Sequence, residues 1–413
     1  MKLTREESAI LNGEMGKAAQ EAIKYQIEVG NFFEAKRFVP ISNAHLMGDI
    51  EVMGDAGFEY LKQAALNGAH CSVPTSSNAQ CMHFEDIPNI KQDETEIDKE
   101  RKIIHILKSM NVATTDTCIN YQTVYQPKLG EHVAWGDTGT VIYANSVFGA
   151  RTNYESGYSS FAASITGRTP DYGFHLDEYR KGRIAVLLKT KPKDLADWGA
   201  IGKIVGHPHQ DYSAVPVFLG IDEIPNSDSL KHLGASLASY GSMAMYHVVG
   251  VTPEAQTASI AFGNKKPEVE IEISDEDIEA VYRSYKILEG KKTLVVFSGP
   301  QQSIFEMRRL AEMFSGKKVS DDIELIITTN RAVYNDAKSI GYVDSLEKAG
   351  ATIMQGVCFY ILQRLSKIRE ENDWVNLVSN SAKLVNTITA HRFNTILRRT
   401  NQCVEIALSG KLK

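Results

Sequence analysis

The stretch between Cys118 and His175 is the part of the chain richest in side chains that can do chemistry. It includes GEHVAWGDTGTVIYANSVFGARTN from residue 130 to 153 and SITGRTPDYGFH from 164 to 175, with charged groups tightly interleaved among apolar ones. A protein core seldom concentrates such groups, because each buried charge needs a partner. The pattern predicts a small-molecule active site.

Two arginines in this stretch follow small residues, in Gly149-Ala150-Arg151 and in Gly167-Arg168. A guanidinium group offers paired donors that match the two oxygens of a carboxylate or phosphate. For either arginine alone, an internal salt bridge with Glu131, Asp137 or Glu155 is an equal alternative. Because two occur in one segment, we favour binding of an anionic ligand.

Histidine and lysine side chains add candidates for proton transfer and anion binding. His45 and His132 are possible acids or bases, although most single histidines are structural. The pair in His207-Pro208-His209 would point to opposite sides of an extended strand and chelate a metal poorly. Lys383 ends the turn Asn380-Ser381-Ala382-Lys383, which comes shortly after the apolar pair Leu377-Val378. It is either an anion contact or a solvent-exposed helical lysine.

Composition limits the class of protein. The 413 residues suggest two or three packed units, and 43% hydrophobic with 23% charged residues is an ordinary globular profile. The net charge of -6 and the lack of a basic run disfavour a nucleic-acid partner. The N-terminus lacks a signal-peptide core and no apolar run reaches about 20 residues, so we expect a cytoplasmic protein without a membrane span.

The elements that position these groups come from apolar periodicity. Three apolar runs, Thr293–Phe297, Ile323–Ile327 and Ala351–Met354, alternate with helices, which predicts βαβ units and a parallel sheet. Ligands bind at the carboxyl ends of such strands. The candidate site loops are therefore Ser298–Ser303, Thr328–Arg331, Gly356–Cys358 and Ser379–Lys383.

The first part of the chain shows a strand followed by a small polar loop, twice. Phe38–Ile41 runs into Ser42–His45, and Cys71–Pro74 runs into Thr75–Asn78, which predicts loops that converge on a pocket. The helices expected here cover residues 4–30 (as two), 55–67 and 98–110. A plausible linker at 264–275 divides the chain into a catalytic region, 1–265, and a C-terminal three-layer α/β region, 266–413.

The five cysteines contain no Cys-x-x-Cys pair, which excludes a zinc ribbon or ferredoxin-type motif. Buried thiols that pack as small hydrophobes are their default interpretation. The sequence also lacks the phosphate-binding loop, the Gly-x-Ser-x-Gly elbow, the His-Glu-x-x-His helix and the dinucleotide-binding glycine motif.

Seven motifs together resemble the aconitase X family, a divergent branch of the aconitase superfamily. The resemblance implies an α/β fold, an aconitase-like multi-domain core with parallel βαβ sheets that lacks the small swivel domain. It also implies a hydro-lyase that dehydrates a small hydroxy acid, such as (R)-5-phosphomevalonate or cis-3-hydroxy-L-proline. The motifs are SNAHLMG (42–48), VPTSSNAQ (73–80), GEHVAWGDTG (130–139), YANSVFGARTN (143–153), TGRTPDYGFH (166–175), YHVVGVTPEA (246–255) and NSAK (380–383).

The resemblance implies an iron–sulfur cluster held by three cysteines. Cys118 in TDTCINY and Cys358 in QGVCFY match two of them, whereas the third position is Gly299. The run after the tryptophan also departs from the serine-rich family pattern, as Gly136–Gly139. Three possibilities stay open: an iron–sulfur cluster, a mononuclear iron bound with a nearby carboxylate or imidazole, or a non-catalytic paralogue that binds a small acid.

The same resemblance assigns roles to individual residues and implies a partner. Superfamily enzymes close their site with a small swivel domain, which does not fit after the last helix, so we expect a separate small subunit. Ser381, or a group of that subunit, would serve the proton step, with His45 and His132 as further catalytic candidates. The expected substrate-binding residues are Ser42, Thr75, Asn78, Asn145, Arg151, Thr152, Arg168 and Lys383.

Overall fold

The computed structural model describes residues 1–85, 87 and 90–412. The first part of the chain is built on a parallel four-stranded sheet in the order β4-β3-β2-β5, with a separate antiparallel pair of β1 and β6. Its elements are α1 (Arg5–Leu11), α2 (Lys17–Phe32), β1 (Phe38–Pro40), β2 (Ala44–Leu46), α3 (Ile50–Leu66), β3 (Thr75–Ser77), α4 (Glu94–Ser109), β4 (Val112–Ala113), α5 (Asn120–Thr123), β5 (Ala134–Trp135), α6 (Thr138–Tyr143), α7 (Ser156–Thr166) and β6 (Arg168–Pro170).

The two predicted polar loops of this part are wrong in their placement, because their residues form the inner strands. β2 includes His45, which was expected in a loop, and β3 begins at Thr75, after the stretch expected to be a strand. Both strands are fully buried, and a hydrogen bond of 2.8 Å joins His45 Nδ1 to Ser76 Oγ across them. At this position of the two strands, a hydrogen bond between polar side chains is found where two apolar side chains usually pack.

The middle part is a second parallel sheet in the order β10-β7-β8-β9. Two of its helices pack closely: a Cβ on Gly202 of one would lie 2.9 Å from the Leu233 carbonyl oxygen of the other. The elements are β7 (Ile184–Leu188), α8 (Leu195–Gly206), β8 (Pro216–Leu219), α9 (Ser227–Gly241), β9 (His247–Val248), α10 (Ala258–Ala261), β10 (Val269–Ile273) and α11 (Asp275–Arg283).

The last part is a five-stranded parallel sheet in the order β13-β12-β11-β14-β15, as the βαβ pattern predicts. Its central strand is buried on both faces, with Val295 and Phe297 in one core and Leu294 and Val296 in another. The elements are β11 (Thr293–Phe297), α12 (Ile304–Phe314), β12 (Ile323–Thr329), α13 (Arg331–Ser339), α14 (Tyr342–Ala349), β13 (Ala351–Gln355), α15 (Leu365–Glu371), β14 (Asn376–Ser379), α16 (Ala382–Thr387), β15 (Asn394–Leu397) and α17 (Thr400–Ser409).

The predicted boundary between residues 265 and 266 falls just before β10, which pairs with β7 of the preceding region. The two-region division stays a prediction. Within the described ranges, no helix is long and apolar enough to cross a membrane.

Candidate active site

Two loops of different regions bring Cys118 and Cys358 together. Cys118 precedes α5, Cys358 follows β13, and both side chains are buried. A hydrogen bond between the thiols lowers the pKa of Cys118 and raises the pKa of Cys358 well above its usual range. The sequence placed these cysteines 240 residues apart, and the fold puts them in one site, which we call the cysteine junction together with Gln301, Asp137 and Lys383.

Gly299 lies in the loop after β11 and supplies no side chain to the junction. Its φ of +56° is left-handed, and a Cβ built on it would make ordinary contact with Leu384, at 3.4 Å. The remaining cysteines have other neighbours. The Cys71 thiol donates to Ser164 Oγ at 3.4 Å, Cys81 lies beside Asp49 and Glu100, and the Cys403 thiol donates to the Arg398 carbonyl at 3.5 Å.

A cluster bound by three cysteines therefore does not fit the residues present. Two thiols meet where three are needed, and across the described positions no group of three or more histidine, cysteine or acidic side chains is arranged to hold a metal ion. An iron–sulfur site of that type needs each missing thiolate to be replaced by another ligand.

Gln301 occupies the centre of the junction. Its backbone N–H donates to Cys118 Sγ at 3.3 Å, and its side-chain oxygen accepts from the Cys118 N–H at 3.2 Å. Its amide nitrogen donates to the carbonyls of Asp116 at 3.2 Å, Val357 at 3.1 Å and Thr329 at 3.5 Å. Sequence reasoning identified the loop but not this residue, because a glutamine after a strand carries no signal of its partners.

Lys383 and Asp137 supply the charges beside the thiols. Asp137 caps α6, accepting from the N–H of Gly139 at 2.9 Å and of Thr140 at 3.2 Å. Its other oxygen lies 3.8 Å from Lys383 Nζ, and both side chains are buried. Burial opposes the charge of Lys383, but Asp137 and the two thiols outweigh it, so the pKa of Lys383 is raised. The buried lysine is a fixed cation that can bind an anion.

Polar atoms near the junction are left without partners. His45 Nε2 and Asn78 Oδ1 are buried and make no hydrogen bond of good geometry among the described residues, although the two side chains lie beside each other. Both polar side-chain atoms of Asn120 and Oδ1 of Asn380 are likewise buried without a hydrogen-bond partner among the described residues. Burial is the main cause that lowers the pKa of His45 to about 4, so its ring is neutral at neutral pH. Unpaired buried polar atoms are costly unless water or a ligand satisfies them.

Three predicted hydroxyl groups already have protein partners. Ser381 caps α16 by accepting from the Leu384 N–H at 3.1 Å, and its hydroxyl donates to the Gly299 carbonyl. Thr75 Oγ1 donates to the Val73 carbonyl at 2.8 Å. Ser42 Oγ donates to the His132 carbonyl at 3.3 Å.

The predicted arginines bind carboxylates of the same chain, although not the three that sequence reasoning named. Arg151 donates to the His175 carbonyl at 2.6 Å and forms an ion pair with Asp177. Arg168 forms ion pairs with Glu6 at 2.9 Å and Glu7 at 3.2 Å.

Arg180, which sequence reasoning missed, is fully buried and forms an ion pair with Glu254. We call Arg151, Arg168, Arg180 and their carboxylate partners the arginine region.

Most amide and histidine groups of this region are also paired, but His175 Nε2 is buried without a hydrogen-bond partner among the described residues. Asn145 donates to the carbonyls of Thr152 and Ala244, both at 2.9 Å, and accepts from the Thr152 N–H at 3.0 Å. Thr152 Oγ1 accepts from the Trp135 N–H at 3.2 Å. His132 Nδ1 lies 2.8 Å from His175 Nδ1, and burial lowers the pKa of His132 to about 4. The structure thus gathers Asn145, Thr152 and His132 around arginines rather than around thiols.

Comparison with known proteins agrees with this architecture. Models of the first, second and third domains of aconitase X match residues 1–178, 182–283 and 292–409. The crystal structure of Thermococcus kodakaraensis aconitase X in its holo-form superposes with a TM-score of 0.86 at 32% identity, covering 98% of this chain and 100% of that chain.

Two named relatives are dehydratases. The phosphomevalonate dehydratase large subunit of Thermococcus kodakarensis is 35% identical over 362 residues, 87% of this chain and 89% of the relative. The cis-3-hydroxy-L-proline dehydratase of Pseudomonas aeruginosa is 28% identical over 359 residues, 86% of this chain and 61% of the relative. The resemblance and the fold class expected from the motifs are confirmed, and the chain belongs to the aconitase X family of hydro-lyases.

Proposed function

We propose that this chain is the large subunit of a dehydratase that removes water from a small hydroxy acid, with (R)-5-phosphomevalonate as the first candidate and cis-3-hydroxy-L-proline as the second. The relative named as a large subunit matches over 89% of its length, whereas the hydroxyproline enzyme extends well beyond this chain. Because the chain matches a relative named as a large subunit over most of that relative's length, the proposal includes a separate small subunit.

The observation that carries this proposal is the buried pair of Lys383 and Asp137 beside unpaired polar atoms. Dehydration of a hydroxy acid needs a cation for the carboxylate, an acceptor for the proton and contacts that orient the hydroxyl group. In the proposal, Lys383 binds the carboxylate, because its neighbours keep it charged. A neutral His45 accepts the substrate proton at Nε2 and returns it to the departing hydroxyl group, so that water is released, and Asn78 orients the substrate through its amide.

The remaining predicted residues take supporting roles in the proposal. Ser381 positions the turn that carries Lys383, because its hydroxyl accepts from the Leu384 N–H and donates to the Gly299 carbonyl of the loop after β11. Ser42, Thr75, Asn145, Thr152, His132, Arg151 and Arg168 would shape or screen the pocket through the contacts described above. No step is assigned to an iron centre, because the three-cysteine set is incomplete at Gly299.

A second candidate function follows from that same glycine. A paralogue that has lost one cluster ligand would bind a small acid at Lys383 without turning it over. An altered iron site bound by Cys118 and Cys358 is a third possibility, intermediate between these two candidate functions.

The test is co-expression with the small subunit, purification without oxygen, and assay of both substrates for dehydrated product. Iron and acid-labile sulfide are measured on the same sample. Turnover of phosphomevalonate that disappears in Lys383→Met supports the first candidate. Tight binding of phosphomevalonate without product supports the second, and neither binding nor turnover of either compound would reject both.

A further inference from the structure

The loops that meet at the cysteine junction are already joined by hydrogen bonds of one side chain. The Cys118 loop, the end of β12 and the Cys358 loop each present a backbone carbonyl to the Gln301 amide nitrogen, at 3.1 to 3.5 Å. The Gln301 side-chain oxygen adds a fourth bond, from the Cys118 N–H. A buried amide that satisfies both its donor and its acceptor groups this fully restricts each loop to one arrangement.

A buried ionic network holds Gln301 itself in place. Lys231 Nζ donates to the Gln301 carbonyl at 3.3 Å, lies 3.1 Å from Asp228 and forms an ion pair with Glu306. Glu306 in turn accepts from the Ser303 N–H at 2.8 Å, at the start of α12. Lys231 is fully buried between these two carboxylates, and the network holds the loop after β11 against the middle region.

From these contacts we propose that Gln301 is a positioning residue that holds its own loop after β11 to the Cys118 and Cys358 loops without metal, and these are the three loops which a three-cysteine cluster would otherwise join. Gly299 removes one anchor of such a cluster, and Gln301, two residues later in the same loop, reaches both cysteine loops. Whether Gln301 holds these loops in one arrangement is independent of whether the protein turns over a substrate. The proposed function can fail while it holds, and the reverse is also possible.

The first test is hydrogen–deuterium exchange on the full chain with Gln301→Met. We expect exchange to rise about tenfold or more in peptides that contain Cys118, Thr329 and Val357, which are far apart in sequence, while the sheets stay protected. The matched control is Gln302→Met. Gln302 is equally buried but its amide makes only one bond, to the Pro300 carbonyl at 3.5 Å, so exchange at the three loops should stay unchanged.

A second measurement keeps the proposal testable if Gln301→Met does not fold. Wild-type chain and Gly299→Cys are reconstituted with iron and sulfide without oxygen, and then treated with a chelator. We expect a stable cluster only in Gly299→Cys, and no change in loop exchange or in the melting temperature of the wild type on chelation. Stoichiometric iron and sulfide in the wild type, with loops that open on chelation, would overturn the proposal, as would unchanged exchange in Gln301→Met.

Discussion

The arginine region and the cysteine junction are equally polar, but they differ in how their charges are balanced. In the arginine region each of the three guanidinium groups binds a carboxylate of the same chain. In the junction, Lys383 shares a single carboxylate at 3.8 Å with a helix cap. Buried atoms without partners occur beside both regions in the described part of the chain, as His45 Nε2 and His175 Nε2. Density of polar groups locates a region, whereas a buried cation that is only loosely paired indicates where an anionic ligand binds.

Among the variants that test this difference between the two regions, Lys383→Met should have the largest effect. Loss of the buried cation should lower kcat/KM for phosphomevalonate by about 10³-fold, equivalent to about 4 kcal/mol, because a preorganised charge in a buried site is hard to replace. Steady-state kinetics of the two-subunit complex measure this. The comparison fails if Arg168→Met causes as large a loss in kcat/KM while the protein is folded.

Arg168→Met should instead act on stability. The variant leaves Glu7 buried without its cation, and we expect the free energy of unfolding to fall by about 3 kcal/mol. Urea denaturation measures the change. Glu6→Gln is the control, because Glu6 is 62% exposed and its ion pair should contribute under about 1 kcal/mol. Equal effects of the two variants would show that burial of the pair is irrelevant.

Glu155→Gln tests how a buried carboxyl group makes the free energy of unfolding depend on pH. Burial raises the pKa of Glu155 from 4.5 to about 7, whereas the unfolded chain keeps the ordinary value. Between these values the folded state binds more protons, so wild-type stability falls as the pH rises through this window. Glutamine does not ionise. The variant should match the wild type at pH 4 and exceed it by about 3 kcal/mol at pH 8, as measured by urea denaturation. An equal difference at both pH values would contradict the assignment.

The smallest expected effect is that of Asn78→Ala. Because Asn78 Oδ1 finds no partner within the described ranges, its removal should cost little stability and lower kcat/KM about tenfold, or about 1.4 kcal/mol. Asn145→Ala is the matched variant from the arginine region: it deletes donors to two carbonyls and should lower stability instead. Thermal melting and kinetics of both variants separate the two outcomes. A reversed pattern would place the ligand in the arginine region.

The amino-acid sequence alone predicts the family, the parallel sheet of the last part and the loops at the ends of its strands. Apolar runs that alternate with helices admit few other arrangements, and long motifs survive divergence. It also identified both cysteines that meet and the glycine that lacks a thiol.

Which polar groups are already paired with each other depends on the tertiary structure. Glu6 and Glu7 reach Arg168 across about 160 residues, and Gln301 reaches Cys118 across 183, so no local pattern could show either contact. The buried polar residues His45 of β2 and Ser76 of β3 escaped prediction as strand residues for the same reason, since they are hydrogen-bonded to each other across 31 residues of the chain. A polar side chain has the same identity in a salt bridge and in a site, and its role depends on what the fold places beside it.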